Sequence, residues 1–420
     1  MSTRRTLLTQ VSKTAAMAAV PQLPAYLIAS AQPPHGVQKP GKRATDEMTV
    51  NSAPQPEHYP QPDFGSPPTE LPAECKSIRG SNSLRAHARQ RGLIAGAALA
   101  VRSLEKDPAM QELIADQYGI LVPENDLKWR ALRPTLKDYD FTASDALFAF
   151  AGQHKILVRA HTLVWHNSVP DWLRNHQPQT DVRQLFVEHI RTVVSRYRGR
   201  VHSWDVVNEA ILPADSQPNG MRRSFWYELV GPDYIELAFR TAHEADPRAK
   251  LTYNDYGVEY DSDDQAERRR HILALVQRLR RDNVPLDAVG IQSHIKAGSP
   301  YSIGHGLADY IASIHSMGLE VYLTEMDVNE DDLPFDDVLR RDQAVAETYR
   351  KFLDVALASP AVKLVLTWGV SDRRTWLNDG PTHHRKQPNR PQRSLPFDAQ
   401  YRPTPAFFAI RDAIDHRLLS

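Results

Sequence analysis

Short apolar runs alternate with longer amphipathic stretches along residues 73–420. The runs are Leu93–Val101, Ile120–Glu124, Ile156–Trp165, Val201–Asn208, Lys250–Asp255, Ala288–His294, Glu320–Glu325 and Lys363–Trp368. Each is short and mostly apolar through its middle, as strands covered on both faces are. Between them, Arg183–Tyr197, Ala266–Arg280 and Asp342–Ala358 repeat apolar residues at helical spacing. Eight strands alternating with helices predict an α/β fold, a single parallel (β/α)8 TIM barrel. A doubly wound open sheet is the competing arrangement. No complete G-x-G-x-x-G or Walker loop supports it, since Gly304-His-Gly306 has no third glycine. In Ala266–Arg280 the residues Ile272, Leu275, Val276 and Leu279 make the inward stripe, so Arg268–Arg270 reads as a solvated face rather than a nucleic-acid patch.

The polar residues gather where the runs end. Ile120–Val122 leads to Glu124, Asn125, Lys128 and Trp129, and Ile156–Val158 leads to His161, Trp165 and His166. Val206-Val207 leads to Asn208-Glu209, Ile291 to Gln292-Ser293-His294, Val321–Leu323 to Glu325 and Asp327, and Leu364–Leu366 to Trp368. In a parallel barrel those ends form one mouth. Polar groups beside buried strand interiors must be satisfied or functional.

Composition narrows the partners. The chain has 420 residues with 51 basic and 51 acidic side chains, a neutral balance that excludes a primary grip on nucleic acid or anionic lipid. No run approaches the ~18 apolar residues of a membrane-spanning helix. A single cysteine, Cys75, leaves no internal disulfide and no Cys-based zinc site. Twelve of the 31 prolines fall before residue 73, which marks residues 32–72 as a Pro-rich, disordered linker ahead of a catalytic body at 73–420. Before it, Arg4-Arg5, Leu7-Leu8, a weakly apolar middle and Ala29-Ser30-Ala31 predict a signal peptide over residues 1–31, resembling the twin-arginine type, and hence a secreted or periplasmic protein. The linker has too few aromatics and no strand pattern to form a carbohydrate-binding module.

Two carboxylates stand out, Glu209 ending the fourth strand and Glu325 ending the seventh. Nearly opposite strands bring side chains together across a barrel mouth. A pair of carboxyl groups, one protonated and one ionised, is the working set for glycosidic-bond hydrolysis. A strand-end glutamate can equally be a salt-bridge or cap partner. Trp129, Trp165, Trp368 and Trp376 follow strand ends, and flat indole faces suit the apolar face of a sugar ring, although each can also be core packing. Metal-assisted hydrolysis is the mechanistic rival through His161, His166, Asp205, His294 and Asp327. No H-x-H or H-E-x-x-H spacing supports it, and His383-His384 reads as solvated surface, so no metal is expected. The absence of a G-x-S-x-G elbow argues against a serine nucleophile.

Taken in order, Glu124-Asn125-Asp-Leu-Lys128-Trp129, His161-Thr-Leu-Val-Trp165-His166, Trp204-Asp-Val-Val-Asn208-Glu209-Ala210, Tyr253-Asn254-Asp255-Tyr256, Gly290-Ile-Gln292-Ser-His294, Thr324-Glu325-Met-Asp327 and Thr367-Trp368-Gly369…Trp376 resemble the glycoside hydrolase family 10 endo-1,4-β-xylanases. The resemblance covers about residues 80–415. It implies retaining double displacement on internal bonds of xylan that requires no cofactor or metal, with xylan and xylo-oligosaccharides as partners and a monomeric enzyme. Glu209 matches the general acid/base and Glu325 the nucleophile. Asn208 matches the amide that holds the sugar 2-hydroxyl, His294 and Asp327 the nucleophile's support, and Gln292 a residue of the same subsite. Glu124, Asn125, Lys128, His161, Trp165, Trp368 and Trp376 match the subsites on the non-reducing side. A related retaining β-glycosidase, an exo-xylosidase or β-1,4-glucanase, is the alternative. Leu127 and Met326 depart from the family's usual Met and Leu or Ile, exchanges that leave the reacting groups alone. The polar stretch Thr382–Arg393 is expected to be a flexible surface loop.

Overall fold

The computed structural model describes residues 62–417 apart from 105, 178 and 379–388. The expected signal peptide over 1–31, most of the expected linker, His383-His384 and the first part of the Thr382–Arg393 stretch lie outside the described residues.

The strands are β1 (Ile94–Leu99), β2 (Ile120–Pro123), β3 (Leu157–Ala160), β4 (Val164–Trp165), β5 (Ser203–Asn208), β6 (Lys250–Asp255), β7 (Ala288–Ile291), β8 (His294–Lys296), β9 (Glu320–Asn329) and β10 (Val362–Thr367). Eight of them, β1, β2, β3, β5, β6, β7, β9 and β10, pair in parallel in that order, and β10 pairs back onto β1 to close the barrel. β4 and β8 are rim pieces, paired to β5 and β9 respectively. Crowding explains the small residues of β1: a side chain on Gly96 would lie 2.4 Å from the Ile120 carbonyl oxygen.

Two of the expected strands are each split. Ile156–Trp165 breaks at the cis peptide His161-Thr162, and the chain resumes as β4. Ala288–His294 breaks at Gln292-Ser293, where Ser293 takes φ 66° and the chain restarts as β8. The seventh strand is longer than expected. β9 continues four residues beyond Glu325, because His294, Ile295 and Lys296 of β8 pair with Asp327, Val328 and Asn329. Glu325 therefore sits within a strand rather than at its end.

Apolar residues fill the barrel interior at Ala98, Ile120, Val122, Tyr322, Leu364 and Leu366. Beside them lies a buried polar layer. Arg159 donates to Ser203 Oγ (3.1 Å), Thr252 Oγ1 (3.2 Å) and Asp205. The larger core lies between strands and surrounding helices.

Two surface expectations are corrected. Of Arg268–Arg270 in the helix Asp263–Arg281, only Arg270 keeps to solvent. Arg268 donates to the Ile211 carbonyl (3.0 Å) and Arg269 to those of Val258 (2.9 Å) and Tyr260 (2.7 Å), so both are buried, where their donors satisfy loop carbonyls that have no strand partner. The described end of the Thr382–Arg393 stretch is likewise not a free loop. Arg390 bonds the buried Glu330 at 3.0 Å, Arg341 reaches the same carboxylate at 2.9 Å, and Arg393 pairs with Asp342. Gln392 donates its backbone N–H to Asn378 Oδ1 at 2.9 Å. At the other end of the chain, Arg373 donates to the carbonyls of Phe64, Gly65 and Ser66. Among the described residues no helix is long and apolar enough to cross a membrane.

Candidate active site

A cleft of about 1030 Å³ opens at the C-terminal ends of the strands. Glu124, Asn125, Lys128, His161, Trp165, Asn208, Glu209, Gln292, His294, Glu325, Trp368 and Trp376 all line it. Asp327 lies directly behind, bonded to His294 Nδ1 (2.9 Å) and to Trp376 Nε1 (2.5 Å). Trp129 does not reach the cleft. It is buried, its ring stacked 3.7 Å from His189 and 4.6 Å from Trp226, because the chain turns into a short helix at Trp129 and aims it into the core.

The two carboxylates face each other across a bridge of amides. Glu209 Oε1 accepts from Gln292 Nε2 (3.1 Å) and Asn208 Nδ2 (3.3 Å). Asn208 Oδ1 accepts in turn from Gln292 Nε2 (3.2 Å) and Asn254 Nδ2 (2.9 Å), and Asn254 Nδ2 also donates to Glu325 Oε1 at 2.7 Å. Gly290 makes room for this bridge, since a side chain there would lie 2.1 Å from Asn254 Oδ1. Thr324 Oγ1 donates to that same oxygen at 2.8 Å and fixes the amide's orientation.

Each carboxylate has its own surroundings. Glu325 is buried, with His294 Nε2 3.3 Å from Oε2 and His161 Nδ1 3.9 Å from Oε1. Burial by itself raises its pKa. The His294 hydrogen bond, the charges of His161 and His294, and Asn254 outweigh that, and the carboxyl is held below the usual range. His294 is opposed by burial too, yet Asp327 and Glu325 drive it well above the ordinary imidazole value. Beneath His161, Asp205 Oδ2 accepts at 3.0 Å and the Arg159 guanidinium closes the chain of charges. Glu209 is more open. Trp165 Nε1 donates to its Oε2 at 2.8 Å, and His166 lies 3.8 Å away. Burial, then Arg222 and Arg174, lower His166 to about 3, so that ring is neutral in ordinary buffers.

At one end of the cleft Lys128 donates to Asn125 Oδ1 (3.0 Å) and lies 4.5 Å over the Trp165 ring. Burial lowers its pKa, opposed by Glu325, Glu124, Glu209 and Asp126. Trp368 and Trp376 bracket His294 with ring centroids 6.4 and 5.0 Å away. At the other end Tyr256, Tyr260 and the exposed Tyr301 line the wall.

The family model described as Glycosyl hydrolase family 10 matches residues 83–413. The chain belongs to glycosyl hydrolase family 10. The endo-1,4-β-xylanase B of Thermotoga neapolitana is 34% identical over 319 residues, 75% of this chain and 86% of that protein. The β-1,4-xylanase of Dictyoglomus thermophilum is 35% identical over 310 residues, 71% and 83% of the two chains. The crystal structure of xylanase 10B from Thermotoga petrophila RKU-1 in complex with xylobiose superposes with a TM-score of 0.70 at 32% identity, over 79% of this chain and 97% of that one.

Arg159, Asn254 and Arg222 were not among the residues assigned to the site from sequence. Asn254 carries the same signal as the others, a polar residue closing an apolar strand. Arg159 gives none, because its charge is satisfied inside the barrel. Asp205, a possible metal ligand by composition, is instead committed to Arg159 and His161.

Proposed function

We propose that this chain is a retaining endo-1,4-β-xylanase in which Glu325 attacks the anomeric carbon while Glu209 protonates the departing oxygen. Water then enters on the same face, Glu209 takes its proton, and Glu325 is released with configuration retained. The observation that carries this reading is the amide bridge Glu209–Asn208–Asn254–Glu325 at the floor of an open cleft. It holds two acids in one site but in different surroundings. Glu325 has the cationic and hydrogen-bonding partners that keep a nucleophile ionised, whereas Glu209 keeps one side toward the cleft, where protons enter and leave.

Asn208 stands between them and suits a sugar 2-hydroxyl, a contact that strengthens as the ring approaches its oxocarbenium-like transition state. Trp368, Trp376, Lys128, Asn125, Glu124 and His161 suit the ring before the cleavage point, and the tyrosine wall suits the leaving chain. A cleft of about 1030 Å³, lined by residues well beyond the two carboxylates such as Asn125 and Tyr301, has room for several sugar rings and favours cutting within a polymer. Product analysis on xylan and on cellulosic glucan tests the reading; glucan cleavage without xylan cleavage rejects it. We also propose that the enzyme acts as an exported monomer. N-terminal sequencing of the mature protein is expected to start near Gln32, and an intact Met1 rejects export; size-exclusion mass gives the oligomeric state.

A further inference from the structure

Glu209 has a left-handed backbone, φ 58°, a conformation that side-chain-bearing residues rarely adopt. Something outside the residue must hold it there. Its N–H donates to the Asn254 carbonyl at 2.9 Å. Its carbonyl accepts from Arg222 Nε at 2.7 Å, a charge-assisted bond. The other side of the same guanidinium donates to the Tyr256 hydroxyl at 3.0 Å.

Arg222 is itself held in place. Residues 210–212 and 220–222 run antiparallel, with Arg222 N–H on the Ala210 carbonyl (2.7 Å), Leu212 N–H on the Gly220 carbonyl (2.8 Å) and a bridge between Ile211 and Met221. Tyr256 is pinned from behind by Arg268, 4.3 Å over its ring. Arg268 also grips the Ile211 carbonyl (3.0 Å) and lies 3.5 Å from Asp255. This brace begins at Ala210, the residue that follows the acid.

We propose that Arg222 is a positioning residue for Glu209, fixing the backbone that aims its carboxyl at the leaving-group oxygen. The inference rests on the xylanase reading of the same cleft. Arg222 bonds the main chain of the acid and not its carboxyl, so its effect on the reaction is routed through the direction of that side chain. A misdirected acid matters only where the leaving group needs a proton.

The test compares wild type and Arg222→Met by kcat/KM, which reports the glycosylation step, on two aryl β-xylobiosides. One carries a 2,4-dinitrophenyl leaving group that departs unassisted, the other a phenyl group that must be protonated. The expected result is a loss of about 10²-fold on the phenyl substrate and under about 3-fold on the dinitrophenyl one. Arg222→Lys, which retains one donor, is expected to recover part of the loss. In a Glu209→Ala background, Arg222→Met should add no further loss on the phenyl substrate. Equal losses on both substrates, or the same extra loss without Glu209, overturn the proposal in favour of a purely structural role. Should Arg222→Met fail to fold, Arg222→Gln, which shortens the side chain but stays polar, must show the same leaving-group split, and its absence also overturns the proposal. A wild-type enzyme that cleaves neither substrate rejects the xylanase reading itself, and the proposal with it.

Discussion

His294 Nε2 stands 3.3 Å from Glu325 Oε2, and its other ring nitrogen is held at 2.9 Å by Asp327. The imidazole is thus charged and aimed at the nucleophile. A carboxyl held below its ordinary value stays ionised, and adds stability, above the unfolded carboxylate range; that contribution is lost as pH falls through the lower folded value. The His294 contribution runs the other way, complete below the unfolded imidazole value and lost as pH rises through its raised one. The acid limb of kcat/KM is therefore expected below the ordinary glutamate range, and His294→Gln should move it upward. pH–rate profiles of both proteins check this; an unmoved limb counts against the pairing.

Glu325→Ala is expected to lower turnover by more than about 10⁴-fold with the fold intact, as removal of a nucleophile does. Glu209→Ala should cost about 10²–10⁴-fold on substrates with poor leaving groups and little on good ones. Added azide should yield a β-azide from the Glu209 variant and an α-azide from the Glu325 variant. Product stereochemistry by NMR decides, and the opposite pattern exchanges the two roles.

Asn208→Ala removes a group bonded to both Glu209 and Asn254. If it holds the 2-hydroxyl most tightly in the transition state, kcat should fall with KM nearly unchanged. Steady-state kinetics on xylo-oligosaccharides make the comparison; a rise in KM alone would assign it to ground-state binding.

Trp129 and Trp376 should separate stability from binding. Trp129→Ala leaves a hole in a stacked core and is expected to cost about 3–5 kcal/mol with KM unchanged. Trp376→Ala should raise KM and leave the melting temperature within a few degrees. Denaturant unfolding together with kinetics checks both.

Glu330→Ala leaves Arg341 and Arg390 buried without the carboxylate they share, at an expected cost of roughly 3–5 kcal/mol. Thermal unfolding measures it. A loss under about 1 kcal/mol would mean that the guanidiniums find water or another acid.

The barrel was legible because its strands are covered on both faces and so read as uninterrupted apolar runs; six of the eight fall within their expected segments, β9 outruns its own by four residues and β10 starts one residue early. The breaks at His161-Thr162 and Gln292-Ser293 were not, since both are set by backbone conformation that leaves no mark on hydrophobicity. The helix Val338–Ala356 starts four residues before the apolar pattern does because the Asp337 side chain caps it by accepting from the Arg340 N–H. Trp129 shows the limit of reading position as role: an indole just after a strand end can turn inward as readily as toward the cleft. Arg268, Arg269 and Arg390 were taken as solvated because charge usually is, and only folding reveals that loop carbonyls and the Glu330 carboxylate await them.

The seventh strand runs on past Glu325, paired with β7 before that residue, with β8 after it, and with β10 from Val321 to Met326. A carboxylate mounted inside such a ladder has little freedom to reach outward. During bond formation it is the pyranose that must travel, its anomeric carbon swinging toward a stationary oxygen while the rest of the ring stays gripped.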